Sequence, residues 1–271
     1  NTGHVCGRCP ACERGDYLLC SEKVNLGLGY GYSGGFTKYC RIPGEILAIH
    51  KRAIWEIPEG LEYEEAAVMD PICNAYKAIA QRSGLLPGEN VVIFGTGPLG
   101  LFSVQIAKIM GALNIVVVGL EEDVKVRFGV ARQLGATEVV NGSAEDVVKR
   151  CQEICGGSDS IGLVVDCAGA NICLKQAIEM VRCNGEIVRV GMGFKPVGFS
   201  INDISMKAVS IIGHMAYDAT SWRNSLQLLA AGRIQVKPMI THRLGLSRWE
   251  EGFEAMADKE AIKVILTYDF D

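Results

Sequence analysis

The six residues Gly95-Thr96-Gly97-Pro98-Leu99-Gly100 restrict the fold of this chain more than any other stretch. They form G-x-G-x-x-G between an apolar run, Asn90–Phe94, and a segment whose Leu99, Phe102, Ile106 and Ile109 recur at helical spacing. In such a turn the first glycine permits the tight bend and the second lets backbone approach a pyrophosphate. The third lets helix and strand pack closely, while the helix N-terminus presents free N–H groups and the positive end of its dipole. The motif therefore predicts that Gly95, Thr96, Gly97, Pro98, Leu99 and Gly100 bind a dinucleotide.

The texture around the motif agrees. Ile115–Val118 reads as the next strand and Asp123 to Leu134 as the next helix, and Glu138–Val140, Leu163–Asp166, Glu186–Val190 and Val209–Ile212 supply further short strands with helices between, notably Asn171 to Val181. Six strands in this alternation predict an α/β, doubly wound parallel sheet. Cys167 and Gly191 fall at the carboxyl ends of two of these strands, where such folds hold their ligands.

The acid that usually holds the adenosine ribose is expected at the end of the second strand, about 20 residues past the motif. Here that position is Gly119, which has no side chain. Its absence removes the usual preference for NAD, yet Glu121, Glu122 and Asp123 follow and oppose a 2′-phosphate unless Lys125 or Arg127 turns inward. The reading adopted is NAD, with Glu121 or Asp123 as substitute acceptor; NADP stays open, as does a solvated first turn of a helix for these acids.

A second motif lies at the front. Cys6, Cys9, Cys12 and Cys20, in CGRCPACERGDYLLC, have the spacing C-x2-C-x2-C-x7-C, which suits a closed tetrahedral zinc bound by four thiolates better than paired disulfides. A closed site supports structure and does no chemistry. The total of eleven cysteines is odd, and the seven outside this group fit a reducing, cytoplasmic compartment. With 49% hydrophobic residues in 271 and a formal net charge of -4, the chain holds a real core and lacks the basic stripe that nucleic acid or an acidic membrane requires. No apolar run is long enough to span a bilayer.

Between and beyond these motifs, Gly27 to Pro58 is rich in glycine and β-forming residues and predicts a small strand-rich unit. Leu61 to Ile79 reads as helical with an acidic first turn, interrupted at Asp70-Pro71. After Gly213 come helices near Ser221–Ala231 and Arg248–Ala257 and a terminal strand, Ala261–Tyr268. The chain opens NTGHVCG and enters the cysteine motif without a preceding element, so its first domain is read as lacking its beginning.

The four-cysteine knuckle, the glycine-rich segment and the dinucleotide motif occur in that order. Together with SGGFTKYCRIP, EEAAVMDPICNA, VVIFGTGPLGL, ITHRLGL and AIKVILT, the chain resembles the zinc-containing medium-chain dehydrogenases, the alcohol, sorbitol and threonine dehydrogenase group, over nearly its whole length. The resemblance implies a partial GroES-like catalytic domain with a structural zinc lobe at 1–72, a Rossmann dinucleotide-binding domain at 73–213, and a segment at 214–271 that returns to the catalytic domain. It also implies a homodimer or homotetramer and hydride transfer between a small polyol, amino alcohol or secondary alcohol and NAD(P). Asp70 falls where the polyol and threonine branch carries an acidic ligand to the catalytic zinc, and Lys263 where the family places a base near the pyrophosphate. The family's other ligands to that zinc precede the knuckle, and none of His4, His50, His214 or His242 sits in a motif that replaces them. Two alternatives stay open: a zinc-independent quinone or enone reductase of the same fold, against which the knuckle argues, and a non-catalytic nucleotide-binding, structural-zinc protein.

Overall fold

The computed structural model describes residues 5–23, 27–49 and 53–270; His4 and His50 lie outside them. Its centre is a six-stranded parallel sheet of β1 (Asn90–Phe94), β2 (Ile115–Gly119), β3 (Glu138–Asn141), β4 (Ile161–Asp166), β5 (Glu186–Arg189) and β6 (Ser210–Gly213). The order is β3-β2-β1-β4-β5-β6, so the chain starts in the middle and winds outward twice. Every strand of β1, β2 and β4 is buried along its full length, which is why these segments read as unbroken apolar runs.

Alternate residues of the strands feed two separate cores. Val91, Ile93, Val117, Leu163 and Val165 face helices Pro98–Ile109 and Arg127–Leu134. Val92, Phe94, Val116, Val118 and Val164 face helices Val147–Cys155 and Asn171–Met180. Each fully buried aliphatic contributes ~1.5–3 kcal/mol, so each core independently favours this register. The first core continues outside the sheet: Ile72 and Ile79 on one side of the sequence, and Leu229, Ile234 and Ile262 on the other, pack into it.

The helix expected over Leu61–Ile79 is present in pieces, and its break falls earlier than Asp70-Pro71. A short helix, Tyr63–Ala66, closed by a Glu62–Glu65 capping box, ends before Met69–Tyr76 begins, and a wider π turn, Lys77–Gln81, follows. Pro71 is the third residue of its helix, where no intrahelical N–H bond is lost. Residue 72, the expected domain boundary, lies inside this helix.

Among the described residues the strand-rich unit expected over Gly27 to Pro58 is not found. Among the described residues this stretch holds one isolated bridge, Leu28 to Tyr32, and a helix, Gly44–Ile49. A strand needs a neighbour to take up its N–H and C=O groups, and no ladder partner lies against this segment among the described residues. Strands β7 (Ile240–Gly245) and β8 (Lys263–Thr267) instead pair with each other in parallel, joined through helix Trp249–Ala257. The flanking regions meet through Lys237 Nζ with Glu62 Oε1 at 2.6 Å, Arg243 with Glu64 at 2.8 Å, and Phe36 edge-on to Phe253. No helix among the described residues is long and apolar enough to cross a membrane.

Candidate cofactor cleft and metal centre

The turn after β1 has the geometry its glycines predict. Gly95 adopts φ +103°, a conformation side chains disfavour, and a Cβ on Gly100 would stand 1.9 Å from the Gly95 carbonyl oxygen. A Cβ on Gly97 would meet nothing within 4 Å, so the backbone there borders open space. Pro98 opens helix Pro98–Ile109 at its first position, and the first-turn N–H groups are free to bind an anion. These residues fit a dinucleotide pyrophosphate.

The next turns close on this one. Gly95 lies against the backbone of Cys167 and Ala168, and Gly100 faces Cys167 Cβ. The thiol of the half-buried Cys167 packs 3.6 Å from Ser103 Oγ, and burial pushes its pKa up to about 12. Gly191 is pressed on Gly169, whose N would stand 2.3 Å from an added Cβ. Thr96 is buried beneath the turn, while Pro98 and Leu99 reach a cavity of about 690 Å³.

That cavity gathers residues from distant parts of the chain, among them Asp70, Asn74, Val190, Met192, His214 and Lys263. The Asp70 Oδ1 accepts from Asn74 Nδ2 at 3.1 Å, and the same amide nitrogen donates to the Asp70 carbonyl at 3.0 Å. Asn74 Oδ1 is left as an acceptor 3.1 Å from His214 Nε2, so that ring nitrogen carries the proton. Burial, then the charges of Lys77 and Arg82, hold His214 down to about 4, so the ring is neutral. Burial also lowers Lys263, opposed by the charge of Asp70. His214 and Asn74 were not among the site residues read from sequence. Two signals mark them: Asn74 is four residues after Asp70 on one helix, and His214 follows the carboxyl end of β6. His242, by contrast, bonds its neighbour Thr241 at 3.0 Å and lies outside the cavity lining.

At the end of β2 the acids separate into two kinds. Asp123 is buried, and its carboxylate is taken by the Leu120 N–H at 2.8 Å and by Arg127 at 3.4 Å. It is therefore not available to a ribose, which corrects one half of the expected substitute pair. Glu121 is exposed and accepts from Asn141 Nδ2 at 2.6 Å, at the carboxyl end of β3. Arg127 does turn inward, but its remaining arm donates to the Ala261 carbonyl at 2.8 Å, and Lys259 is paired with Glu122. At Gly119 a Cβ would stand 2.5 Å from Phe128 Cε1, 2.8 Å from Thr96 Cγ2 and 2.9 Å from Asp123 Oδ2, so the acid usual at this position has no room.

Cys6, Cys9, Cys12 and Cys20 converge with all four sulfurs within 4.8 Å of one another, and Cys6 and Cys12 are 4.0 Å apart. Zinc–sulfur bonds of ~2.3 Å place tetrahedral sulfurs ~3.8 Å apart, so the donor set fits one Zn²⁺, whereas a disulfide requires ~2.05 Å. The Cys6 N–H donates to Cys20 Sγ at 3.4 Å; the amides of Cys12 and Ser21 draw Cys9 down to about 6, while burial pushes Cys12 up to about 12, a proton that metal binding would displace. Among the described residues this is the group of three or more metal-binding side chains that comes together; Asp70 is not part of one. The described residues alone do not hold a catalytic zinc at Asp70.

A family model described as zinc-binding dehydrogenase matches residues 98–231. The zinc-type alcohol dehydrogenase-like protein YdjL of Escherichia coli K12 is 72% identical across all of this chain and 76% of its own length. A sorbitol dehydrogenase of Halalkalibacterium halodurans is 31% identical over 98% of this chain and 74% of its own. Among solved structures, an alcohol dehydrogenase from Thermus sp. ATN1 superposes with a TM-score of 0.87 at 28% identity, covering 99% of this chain and 76% of that one.

Proposed function

The chain belongs to the zinc-binding dehydrogenase family, and on that premise we propose that it oxidises the secondary alcohol of a small polyol or amino alcohol with NAD. The observation that carries the reading is the single cavity that joins the dinucleotide turn, through Pro98 and Leu99, to the polar group of Asp70, Asn74, His214 and Lys263. A bound dinucleotide would supply the hydride acceptor for the alcohol carbon, with the hydroxyl proton passing to solvent. The protein's part in that step is positional. The glycine turn and helix N-terminus would seat the pyrophosphate, Lys263 would add a cation at the same cleft, and the half-buried Leu99 and Val190 give the cleft an apolar wall. The Asp70–Asn74–His214 chain of hydrogen bonds presents polar groups to hydroxyls.

NAD rather than NADP is supported at the end of β2. Glu121 and Asn141 stand there, and the cations Arg127 and Lys259 are already engaged with Asp123, Ala261 and Glu122. Zinc on the four cysteines braces the lobe and takes no part in the chemistry. The seven unpaired cysteines outside the four-sulfur group support a cytoplasmic setting, and the family supports a homodimer or homotetramer.

One observation favours a second reading, a dinucleotide-binding protein without turnover: Asp70 is not joined by further metal-binding side chains among the described residues. A single experiment separates the two. Purified protein is assayed for zinc per chain and for reduction of NAD⁺ and NADP⁺ against a hexitol, a pentitol, a pentitol phosphate and L-threonine. Turnover with a polyol and NAD⁺ supports the first reading; cofactor binding with one zinc and no turnover supports the second; a clear preference for NADP⁺ overturns the cofactor choice.

A further inference from the structure

Asp166 ends β4 with no exposure to solvent at all, an expensive place for a carboxylate. Its Oδ1 accepts from the N–H groups of Ala168 and Gly169 at 3.0 and 2.8 Å, and its Oδ2 is paired with Arg189 Nη1 at the end of β5. The second arm of the same guanidinium donates to the Gly169 carbonyl at 2.7 Å. One planar fork thus grips the carboxylate and the turn that follows it.

The gripped turn is the one that lies against Gly95 and under Gly191, and the two residues after Arg189 on the cavity side, Val190 and Met192, line the cleft beside Pro98 and Leu99. Three glycine turns, after β1, β4 and β5, are in backbone contact, and Arg189 is the side chain that ties the second to the third. The strands β4 to β6 form the second half of a doubly wound sheet, the half that serves the second nucleotide.

We infer that Arg189 is a positioning residue for the nicotinamide half of the bound dinucleotide, acting through Asp166 and Gly169 without touching the cofactor. The inference rests on the dinucleotide reading above. It predicts an effect that is uneven across the ligand: loosening the turns after β4 and β5 weakens grip on the nicotinamide end and leaves the adenosine end, held by β1 to β3, unaffected.

The test is titration of NADH, NADPH and ADP into wild type, Arg189→Met and Arg189→Lys by fluorescence and calorimetry. A second ion pair provides the control. Arg182 with Glu89 at 2.8 Å ties the opposite, amino-terminal end of the sheet, so Arg182→Met removes a comparable bond far from the cleft. Arg189→Met is expected to bind the reduced dinucleotide ~10-fold or more weakly while ADP stays within ~2-fold. Arg189→Lys, which keeps the charge and loses the fork, falls between and carries the test should the methionine variant not fold. Arg182→Met is expected to melt earlier with dinucleotide affinity within ~2-fold of wild type. Equal weakening of NADH and ADP in the Arg189 variants, or no weakening of either, overturns the inference, as does an Arg182→Met that binds as poorly. A wild type that binds ADP but neither reduced dinucleotide overturns the dehydrogenase reading itself.

Discussion

Gly119 occupies the place where the fold ordinarily carries the ribose-binding acid, and restoring an acid there is expected to cost stability. An added Cβ meets Phe128 at 2.5 Å, Thr96 at 2.8 Å and the Asp123 carboxylate at 2.9 Å. All three neighbours are at most 5% exposed, so none has solvent to move into. Overpacking of this kind costs ~1–3 kcal/mol, and at ~2–4 °C per kcal/mol for a chain of this size Gly119→Ala is expected to melt ~2–12 °C below wild type. Gly119→Asp adds a second carboxylate beside Asp123. Two such charges ~4 Å apart repel by ~4 kcal/mol at an effective dielectric of ~20, so aspartate is expected to cost at least ~2 kcal/mol more than alanine at pH 7. The excess over alanine shrinks at pH 5, where the new carboxyl protonates instead. Urea and thermal unfolding followed by circular dichroism measure both terms. Gly119→Ala within ~0.5 kcal/mol of wild type, or Gly119→Asp as stable as Gly119→Ala at pH 7, refutes the packing and charge argument respectively.

Two further outcomes are expected. Metal analysis should find one zinc per chain, lost in Cys12→Ser and in Cys20→Ser; hydrogen exchange should then rise over residues 5–20 and stay unchanged in β1, β2 and β4, and a Cys12→Ser protein that retains its zinc disproves the four-sulfur site. The neutral His214 makes stability depend on pH in one direction. Its folded value, about 4, lies below the ordinary 6.5, so its contribution is complete above pH 6.5 and is lost as pH falls from 6.5 toward 4. Discounted for its partial exposure, the loss is ~1–3 kcal/mol and should vanish in His214→Gln, which urea melts of both proteins at pH 7.5 and 4.5 will show or deny.

The sheet was readable because parallel strands covered on both faces must be apolar throughout, and β1, β2 and β4 announce themselves by composition alone. The glycine turn was readable for a related reason: its constraints are local, within six residues. What the sequence did not disclose depends on partners far away in the chain. The stretch from 27 to 58 has strand-like composition, but composition cannot supply a ladder partner, and a helix and a bridge form instead. Asp123 looked like an exposed acid of a helix start; its burial follows from the Leu120 amide and Arg127, and Arg127 is drawn in by the carbonyl of Ala261, 134 residues on. His214 reaches Asn74 across 140 residues, a separation that no periodicity encodes. Local chemistry was legible, and of the polar side of the cleft Asp70 and Lys263 were marked by resemblance, while the place of His214 beside Asn74, set by tertiary contact, was not.

The division of the sheet into two cores gives its faces different thermodynamic status. The face built with Val92, Phe94 and Val164 is roofed by helices from within the nucleotide-binding stretch and closes on itself. The face built with Ile93, Val117 and Val165 is shared: Ile72 and Ile79 arrive from before the sheet, and Leu229, Ile234 and Ile262 from after it. The flanks therefore cannot detach without exposing the part of this core that Ile72, Ile79, Leu229, Ile234 and Ile262 complete beside helices Pro98–Ile109 and Arg127–Leu134, which couples their unfolding to that of the sheet. The same shared core underlies helix Met69–Tyr76, which carries Asp70, and β8, which carries Lys263. A ligand that drew these two residues together would act on an oily joint rather than on a hinge, so whatever motion accompanies binding must be sliding of packed side chains, small in amplitude and felt across the whole of that face.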